Sequence, residues 1–298
     1  MLRTYLVMSS LITIYVNQPP KLIKNRNCPY CGTDLEFIQK NKEHVIGRRF
    51  VPKCYLNKQW NLILQACVAC NSRKSGLEND ISVISMIPTF GVEGEALSKE
   101  IERKSKTKCQ LTGESVANSS ISETVSIPFG SAKFSFNLFG PPQVGHDRLC
   151  ELAHYQLMGF FYFISYDKNR QVGGFWPGCA KLVNFCPNSD WGNNQQRWFM
   201  KATETWYTRL ICCTANGYYK ITFRRPKDMR QLWSWAIEWN KNYRLVGFFG
   251  KEDLIQKVAF NLPKKPKTLL TKTTKETTWM TKEFILSEED DSLFRVLH

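Results

Sequence analysis

Several features are scarce or absent in this sequence, and each absence excludes a class of protein. No apolar run reaches the ~18 residues that a membrane-spanning helix needs, so no membrane span is expected. There are no internal repeats, which excludes a solenoid or a propeller. The 11 cysteines are an odd number in a chain of 298 residues, which does not fit a small secreted disulfide framework. Acidic residues are few, 26 against 41 basic ones, and the formal charge is therefore +15.

The charge excess favours a polyanionic partner, with nucleic acid first and an anionic membrane surface second. Apolar residues make up 43% and aromatic residues 13%, which is typical of a globular protein, and the length suggests about two domains. Residues 5–16 are apolar but lack a small-residue cleavage site after them. We therefore expect a strand or an irregular lead-in rather than a signal peptide, and a cytoplasmic protein.

Composition changes along the chain predict its organisation. We expect a lead-in segment (1–20), a compact unit with both C-x-x-C pairs (21–90), a linker and domain entry (91–130), a larger aromatic-rich α+β domain (131–262), and a basic flexible segment with a short C-terminal helix (263–298). Eight of the nine tryptophans lie beyond residue 170, which suits a domain with a large core.

Local patterns predict individual elements. Helices are expected over 95–106, 147–164 and 228–239, and strands over 218–224 and 244–249. Ser287, followed by four acidic residues, is typical of a helix start. His146, Cys150 and His154 would share one helix face, for which a partly buried surface is favoured over a second metal site.

Four cysteines have the spacing of metal ligands. Cys28 and Cys31 form one C-x-x-C pair, and Cys67 and Cys70 form another. Two such pairs in a reducing compartment indicate a closed, tetrahedral, structural zinc site, which a short unit with a small core needs. On the cysteines alone, a zinc ribbon that only binds remains an alternative.

Further landmarks lie between and after these pairs. Glu43-His44 follows the first pair, Asn61-Leu62 precedes the second, and Asn71 directly follows it, with Arg73, Lys74 and Gly76 after that. This succession, over residues 25–80, resembles the HNH nuclease family, the ββα-metal class, in its four-cysteine zinc-bearing form. The resemblance implies a small zinc-stapled ββα-metal nuclease domain at 21–90, ahead of the larger α+β domain. The departures are Glu43 where Asp is commoner, Asn71 where many members carry His, and Ser75 between Lys74 and Gly76.

The resemblance also implies the role of each residue. Phosphodiester hydrolysis needs an activated water and neutralisation of the developing charge, and a neutral histidine with a divalent cation can meet these needs. His44 would be the general base, Asn61 would orient the His44 loop or hold its ring, and Glu43 with Asn71 would hold a catalytic Mg²⁺ or Mn²⁺. Arg73 and Lys74 would contact phosphate, and the charge excess suggests the same for Arg48 and Arg49. Glu43 and His44 adjoin on one strand, however, and neighbouring side chains of a strand point to opposite faces.

The expected function is therefore a metal-dependent endonuclease that hydrolyses DNA, in restriction, phage defence or a mobile element. The family resemblance favours DNA, whereas the residues alone do not exclude RNA. Because a single site nicks one strand, double-strand cleavage would require a homodimer or two sequential nicks. Two alternatives stay open: a non-catalytic zinc-stapled nucleic-acid-binding protein, and a nuclease effector activated by a ligand or protein sensed in the C-terminal domain.

Overall fold

The computed structural model describes residues 11–14, 18–87, 95–119, 121–140, 142–175, 178–272, 277–281 and 283–296. The chain is a mixed α+β protein, as expected. No helix in these ranges is long and apolar enough to cross a membrane.

The first part of the chain builds a small sheet and three helices. Its elements are β1 (Ile12–Ile14), β2 (Lys21–Leu22), β3 (Lys40–His44), β4 (Leu62–Cys67), α1 (Val68–Ile84), α2 (Glu95–Lys104), β5 (Ile121–Phe129), β6 (Ala132–Gly140) and α3 (His146–Ile164). The order β2-β4-β3 forms a three-stranded sheet in which β3 and β4 are antiparallel. Because α1 begins at the residue after β4, the helix folds back directly onto this sheet.

The second part is built around a larger sheet. Its elements are β7 (Cys179–Pro187), α4 (Asn194–Ala202), β8 (Tyr207–Thr214), β9 (Tyr219–Arg225), β10 (Leu232–Trp239), β11 (Tyr243–Gly250), α5 (Glu252–Ala259), β12 (Lys267–Lys272) and β13 (Thr277–Thr281). Six strands pair in the order β1-β8-β9-β10-β11-β7, with β1 parallel to β8 and the remaining neighbours antiparallel.

One apolar core joins the two parts. Trp60 and Leu62 from the small sheet belong to the same buried cluster as Leu210 and Trp239 from the large one. The Thr214 hydroxyl donates a hydrogen bond to the carbonyl oxygen of Trp60 at 2.7 Å, buried from solvent. The small unit is therefore packed onto the large sheet and shares its core.

Two predicted helices are not found. Residues 228–239 were expected to be helical, but 232–239 form β10, which is buried along its whole length between β9 and β11. A short apolar run fits either a buried strand or a buried helix, and its tryptophans favour a strand surface.

The flexible segment and short helix expected over 263–298 also need correction. The basic segment expected to be flexible contains the paired strands β12 and β13. After Ser287 the chain forms turns, and no helix occurs over 283–296. Leu293 is fully buried in a second apolar cluster, and the Arg224 guanidinium donates to the carbonyl oxygens of Ser292 and Leu293. Arg224 therefore occupies carbonyl oxygens that would accept backbone hydrogen bonds if a helix continued here.

Candidate metal centre and active site

A tight turn places the first two cysteines side by side. The Cys28 amide donates to the carbonyl of Thr33 at 2.8 Å, and the Gly32 amide donates to the carbonyl of Cys28 at 3.0 Å. Gly32 has φ of +78°, a left-handed conformation that glycine adopts without strain. Cys67 ends β4, and Cys70 lies in the first turn of α1. The cluster therefore ties the start of the unit to its helix.

The four sulfur atoms form one group. All four Sγ atoms lie within 4.8 Å of one another, and Cys31 and Cys67 are 3.7 Å apart. A tetrahedral zinc with Zn–S bonds of ~2.3 Å separates its sulfurs by about 3.8 Å. None of the four forms a disulfide. The expectation of a four-cysteine cluster that could bind a metal such as zinc is therefore confirmed in its geometry.

The cluster is the single such group in the ranges that the structure covers. No other set of three or more His, Cys, Asp or Glu ligand atoms converges there. The Sγ of Cys150 lies 3.7 Å from the Nδ1 of His146, but His154 does not complete a ligand set with them. The three residues lie on one face of α3, which is partly buried.

The cluster thiols differ in acidity. Burial raises the pKa of Cys28 to about 11 and also raises the pKa of Cys70. For Cys31, burial opposes ionisation, but hydrogen bonds to Thr33 outweigh it and lower the pKa to about 7. Four thiols this close cannot all ionise without a cation among them, and zinc binds the thiolate form. The donor set thus fits a structural zinc.

A buried ion-pair network centred on Lys74 adjoins the cysteine turn. The Lys74 ammonium is 2.9 Å from the Oε1 of Glu43 and 2.7 Å from the Oε1 of Glu78. It also donates to the carbonyl oxygen of His44 at 3.0 Å. The Tyr30 hydroxyl donates to Glu43 at 2.9 Å, and the Gly47 amide donates to Glu78 at 3.2 Å. The network joins the cysteine turn, β3 and α1.

The charge balance of this network is uneven, since one ammonium faces two carboxylates. Burial raises the pKa of Glu78. Burial also opposes the charge on Lys74, but Glu78 and Glu43 outweigh it, and the pKa of Lys74 is raised. Lys74 is therefore held as a cation inside the protein, between the sheet and α1.

Two predicted site residues do not fit their expected roles. Lys74 is only 1% exposed and has three protein partners, so it cannot reach a phosphate. Glu43 is 3% exposed, and its carboxylate already accepts from Tyr30 and Lys74. This arrangement does not fit a Mg²⁺ or Mn²⁺ ligand at Glu43, and no described contact links Glu43 to Asn71.

His44 lies on the other face of β3, as the strand alternation requires. Its side chain is half-buried, and its pKa is lowered to about 4, first by burial and then by the charges of Arg48, Lys42 and Lys74. The imidazole is therefore neutral at pH 7 and can accept a proton.

Asn61 holds the loop after His44. Its side-chain amide donates to the carbonyl of Ile46 at 2.7 Å, and its Oδ1 accepts from the Ile46 amide at 3.3 Å. All of these groups are buried. Of the roles expected for Asn61, this geometry corresponds to orienting the His44 loop.

The remaining predicted residues lie at the surface or near it. Asn71 is half-buried in the first turn of α1. Arg48 and Arg49 are exposed in the loop after β3. Arg73 is exposed and forms an ion pair with Glu151 on α3. Such a surface pair is weak, so Arg73 is accessible to an anion at low energetic cost.

Sequence reasoning missed Glu78 and Tyr30. Glu78 lies four residues after Lys74, the spacing at which opposite charges meet on one helix face, and this signal could have been used. Tyr30 lies inside the first C-x-x-C pair, and nothing in that motif indicates where its hydroxyl points.

Comparison with models of known families, with curated proteins and with solved structures gives no significant match to this chain.

Proposed function

We propose that this chain is a zinc-stapled nuclease of the HNH type that hydrolyses phosphodiester bonds in DNA. The observation that carries the proposal is the succession β3, β4 and α1. Within it, four clustered cysteines join the unit together, and a neutral histidine ends the first strand. The formal charge of +15 supports a nucleic-acid substrate.

In this proposal His44 is the general base. Its imidazole takes a proton from water as the water oxygen attacks the phosphorus. The bond from phosphorus to the leaving oxygen then breaks, and that oxygen gains a proton from solvent. Arg48 is exposed in the loop that follows His44, and its guanidinium can offset charge on the substrate phosphate. Asn61 acts as a positioning residue through the backbone of Ile46.

The proposed zinc is structural. Four cysteine ligands complete a tetrahedral shell and leave no open position for a substrate. Its contribution would be to hold the turn at Cys28 against the start of α1, and through Tyr30 to keep Glu43 in the Lys74 network.

A specific observation favours one alternative. The carboxylate that the family pattern assigns to a catalytic metal is engaged by Lys74. This contact supports a zinc-stapled protein that binds nucleic acid without cutting it.

Cleavage of supercoiled plasmid separates the two functions. Wild type, His44→Ala and the matched control His146→Ala, an exposed histidine on α3, are compared in Mg²⁺, in Mn²⁺ and in EDTA, with zinc content measured for each. The proposal expects nicked or linear product from wild type and His146→Ala, and a loss of at least about a hundredfold in His44→Ala, as for removal of a general base. Zinc-loaded protein that retains plasmid and cuts in none of the three conditions would contradict the nuclease and support the binding protein.

A further inference from the structure

The alternation of β3 creates a row of cationic side chains beside His44. Glu43 points toward α1, where it meets Lys74, so its neighbours along the strand point to the opposite face. That face carries Lys40, Lys42 and His44, and both lysines are exposed. Residues two apart on a strand are about 6.7 Å from each other along the strand axis.

Across the sheet, Lys40 is paired with Cys67 of the cysteine cluster, whereas the partners of Lys42 and His44 are uncharged. Lys42 is paired with Gln65 across the sheet, and His44 is paired with Ile63. On the far side of β4, Leu22 is in register with Ile63 and is 55% exposed. The single carboxylate of β3, Glu43, is buried on the other face.

The cations of this row are available to a ligand. Among the described residues, no carboxylate lies within ion-pair distance of Lys42, which is exposed on this face, or of Arg48, which is exposed in the loop after β3. Lys40 donates one hydrogen bond to the carbonyl of Leu35 at 3.0 Å, which leaves two of its three N–H donors. The nearest acidic residue in the preceding loop, Glu36, is paired with Arg26.

An exposed aromatic residue lies in the loop that precedes the row. Phe37 is 84% exposed, three residues before Lys40, and the adjacent Ile38 is 38% exposed. A phenylalanine side chain this exposed contributes almost no hydrophobic burial to folding. Exposed aromatic rings near a basic surface are groups on which nucleic-acid bases stack.

We propose that the surface formed by Lys40 and Lys42 on this face of β3, with Phe37 in the loop before it, binds a single strand of nucleic acid. Lys40 and Lys42 contact successive phosphates, and Phe37 stacks on an unpaired base. The inference deepens the proposed nuclease function, on which it rests for its choice of ligand, because the row leads the strand past His44. In this proposal the lysines of β3 make the phosphate contacts that were expected of Lys74, which is buried.

Fluorescence anisotropy with a labelled 20-nucleotide DNA strand tests the surface. The full-length, zinc-loaded protein is used without added Mg²⁺ or Mn²⁺, over a range of salt concentrations, with a duplex of the same sequence as the second ligand. The variants are Lys40→Ala/Lys42→Ala, Phe37→Ala and the matched control Lys257→Ala, an exposed lysine on α5. Zinc content and melting temperature show whether each variant is folded.

The proposal expects tighter binding of the single strand than of the duplex. The double variant should reduce the slope of log K against log salt by about 1.4, since each phosphate contact to a single strand contributes ~0.7. Phe37→Ala should weaken single-strand binding by at least about fivefold, the effect of losing one stacked base. Lys257→Ala should behave as wild type.

Two results would overturn it: an unchanged salt slope in the folded double variant, or a duplex preference that Phe37→Ala does not alter. Different results would contradict the nuclease proposal. Cleavage that depends on His44, with binding insensitive to the row, contradicts only the surface. Binding that depends on the row, without cleavage in Mg²⁺ or Mn²⁺, contradicts only the nuclease.

Discussion

The hydroxyl of Tyr30 donates a hydrogen bond to the buried carboxylate of Glu43 at 2.9 Å. Because Tyr30 lies between Cys28 and Cys31, this bond connects the cysteine cluster to the Lys74 network and to the strand that carries His44. The cysteine cluster is therefore linked to β3 both by this side chain and by the pairing of Cys67 with Lys40.

The first prediction concerns the metal. Cys70→Ser should lower zinc content from one equivalent per chain and destabilise the unit, because metal binding contributes directly to folding in a small core. Zinc analysis and thermal unfolding measure both effects. Cys54→Ser, an exposed cysteine outside the cluster, is the matched control and should retain one zinc. Equal zinc content in both variants would show that the cluster is not the site.

The second prediction concerns the buried ion pairs. Lys74→Met should lower the free energy of unfolding by about 3–5 kcal/mol, because Glu43 and Glu78 lose their cation inside the protein. Adding Glu43→Gln should recover part of this loss by removing one buried charge. Arg73→Met, which changes the exposed neighbour of Lys74, should have little effect on the free energy of unfolding. Chemical denaturation measures the three variants, and similar values for Lys74→Met and Arg73→Met would refute a buried network.

The third prediction separates positioning from chemistry. Asn61→Ala leaves the buried amide and carbonyl of Ile46 without partners, which should cost about 1–3 kcal/mol of stability. In the proposed nuclease, kcat should fall while KM stays near the wild-type value, because the loop after His44 loses its anchor. Steady-state kinetics with a fluorogenic oligonucleotide give both constants. An unaltered kcat in a destabilised variant would assign Asn61 a purely structural role.

The fourth prediction concerns the C-terminal segment. Leu293 is fully buried, so Leu293→Ala should destabilise the protein by about 2–5 kcal/mol. Ile285→Ala is the matched control, since Ile285 is 81% exposed in the same segment. Limited proteolysis should cleave the first variant faster near its C-terminus. Equal cleavage of both variants would mean that the segment is not held by Leu293.

The local features of this structure can be predicted from the sequence. Cysteine spacing is sufficient to predict the four-cysteine cluster, because a C-x-x-C turn fixes two thiols and the junction of β4 and α1 fixes the other two. Strand alternation is sufficient to expect Glu43 and His44 on opposite faces. The burial of Lys74 is not predictable in this way, because it depends on Glu43, 31 positions earlier in the chain.

The same limit explains the incorrect helix at 228–239. The apolar residues of this segment fit a helical period and a buried strand equally well. Its state is decided by pairing with β9 and β11, whose register the local sequence does not encode. At the C-terminus, the turn signal at Ser287 is present, and its hydroxyl accepts from the Asp290 amide at 3.2 Å. The distant Arg224 binds the carbonyl groups beyond it.

The pH dependence of plasmid nicking tests the central claim, that His44 is a neutral general base, most directly. An ordinary histidine has a pKa near 6.5, whereas that of His44 is lowered to about 4. The base form then predominates at every pH above about 4, so kcat/KM should be nearly equal at pH 5 and pH 7.5. A base with pKa 6.5 would lose about thirtyfold at pH 5. A flat profile in wild type with loss of nicking in His44→Ala is the predicted result, and equal nicking by both proteins would contradict the account.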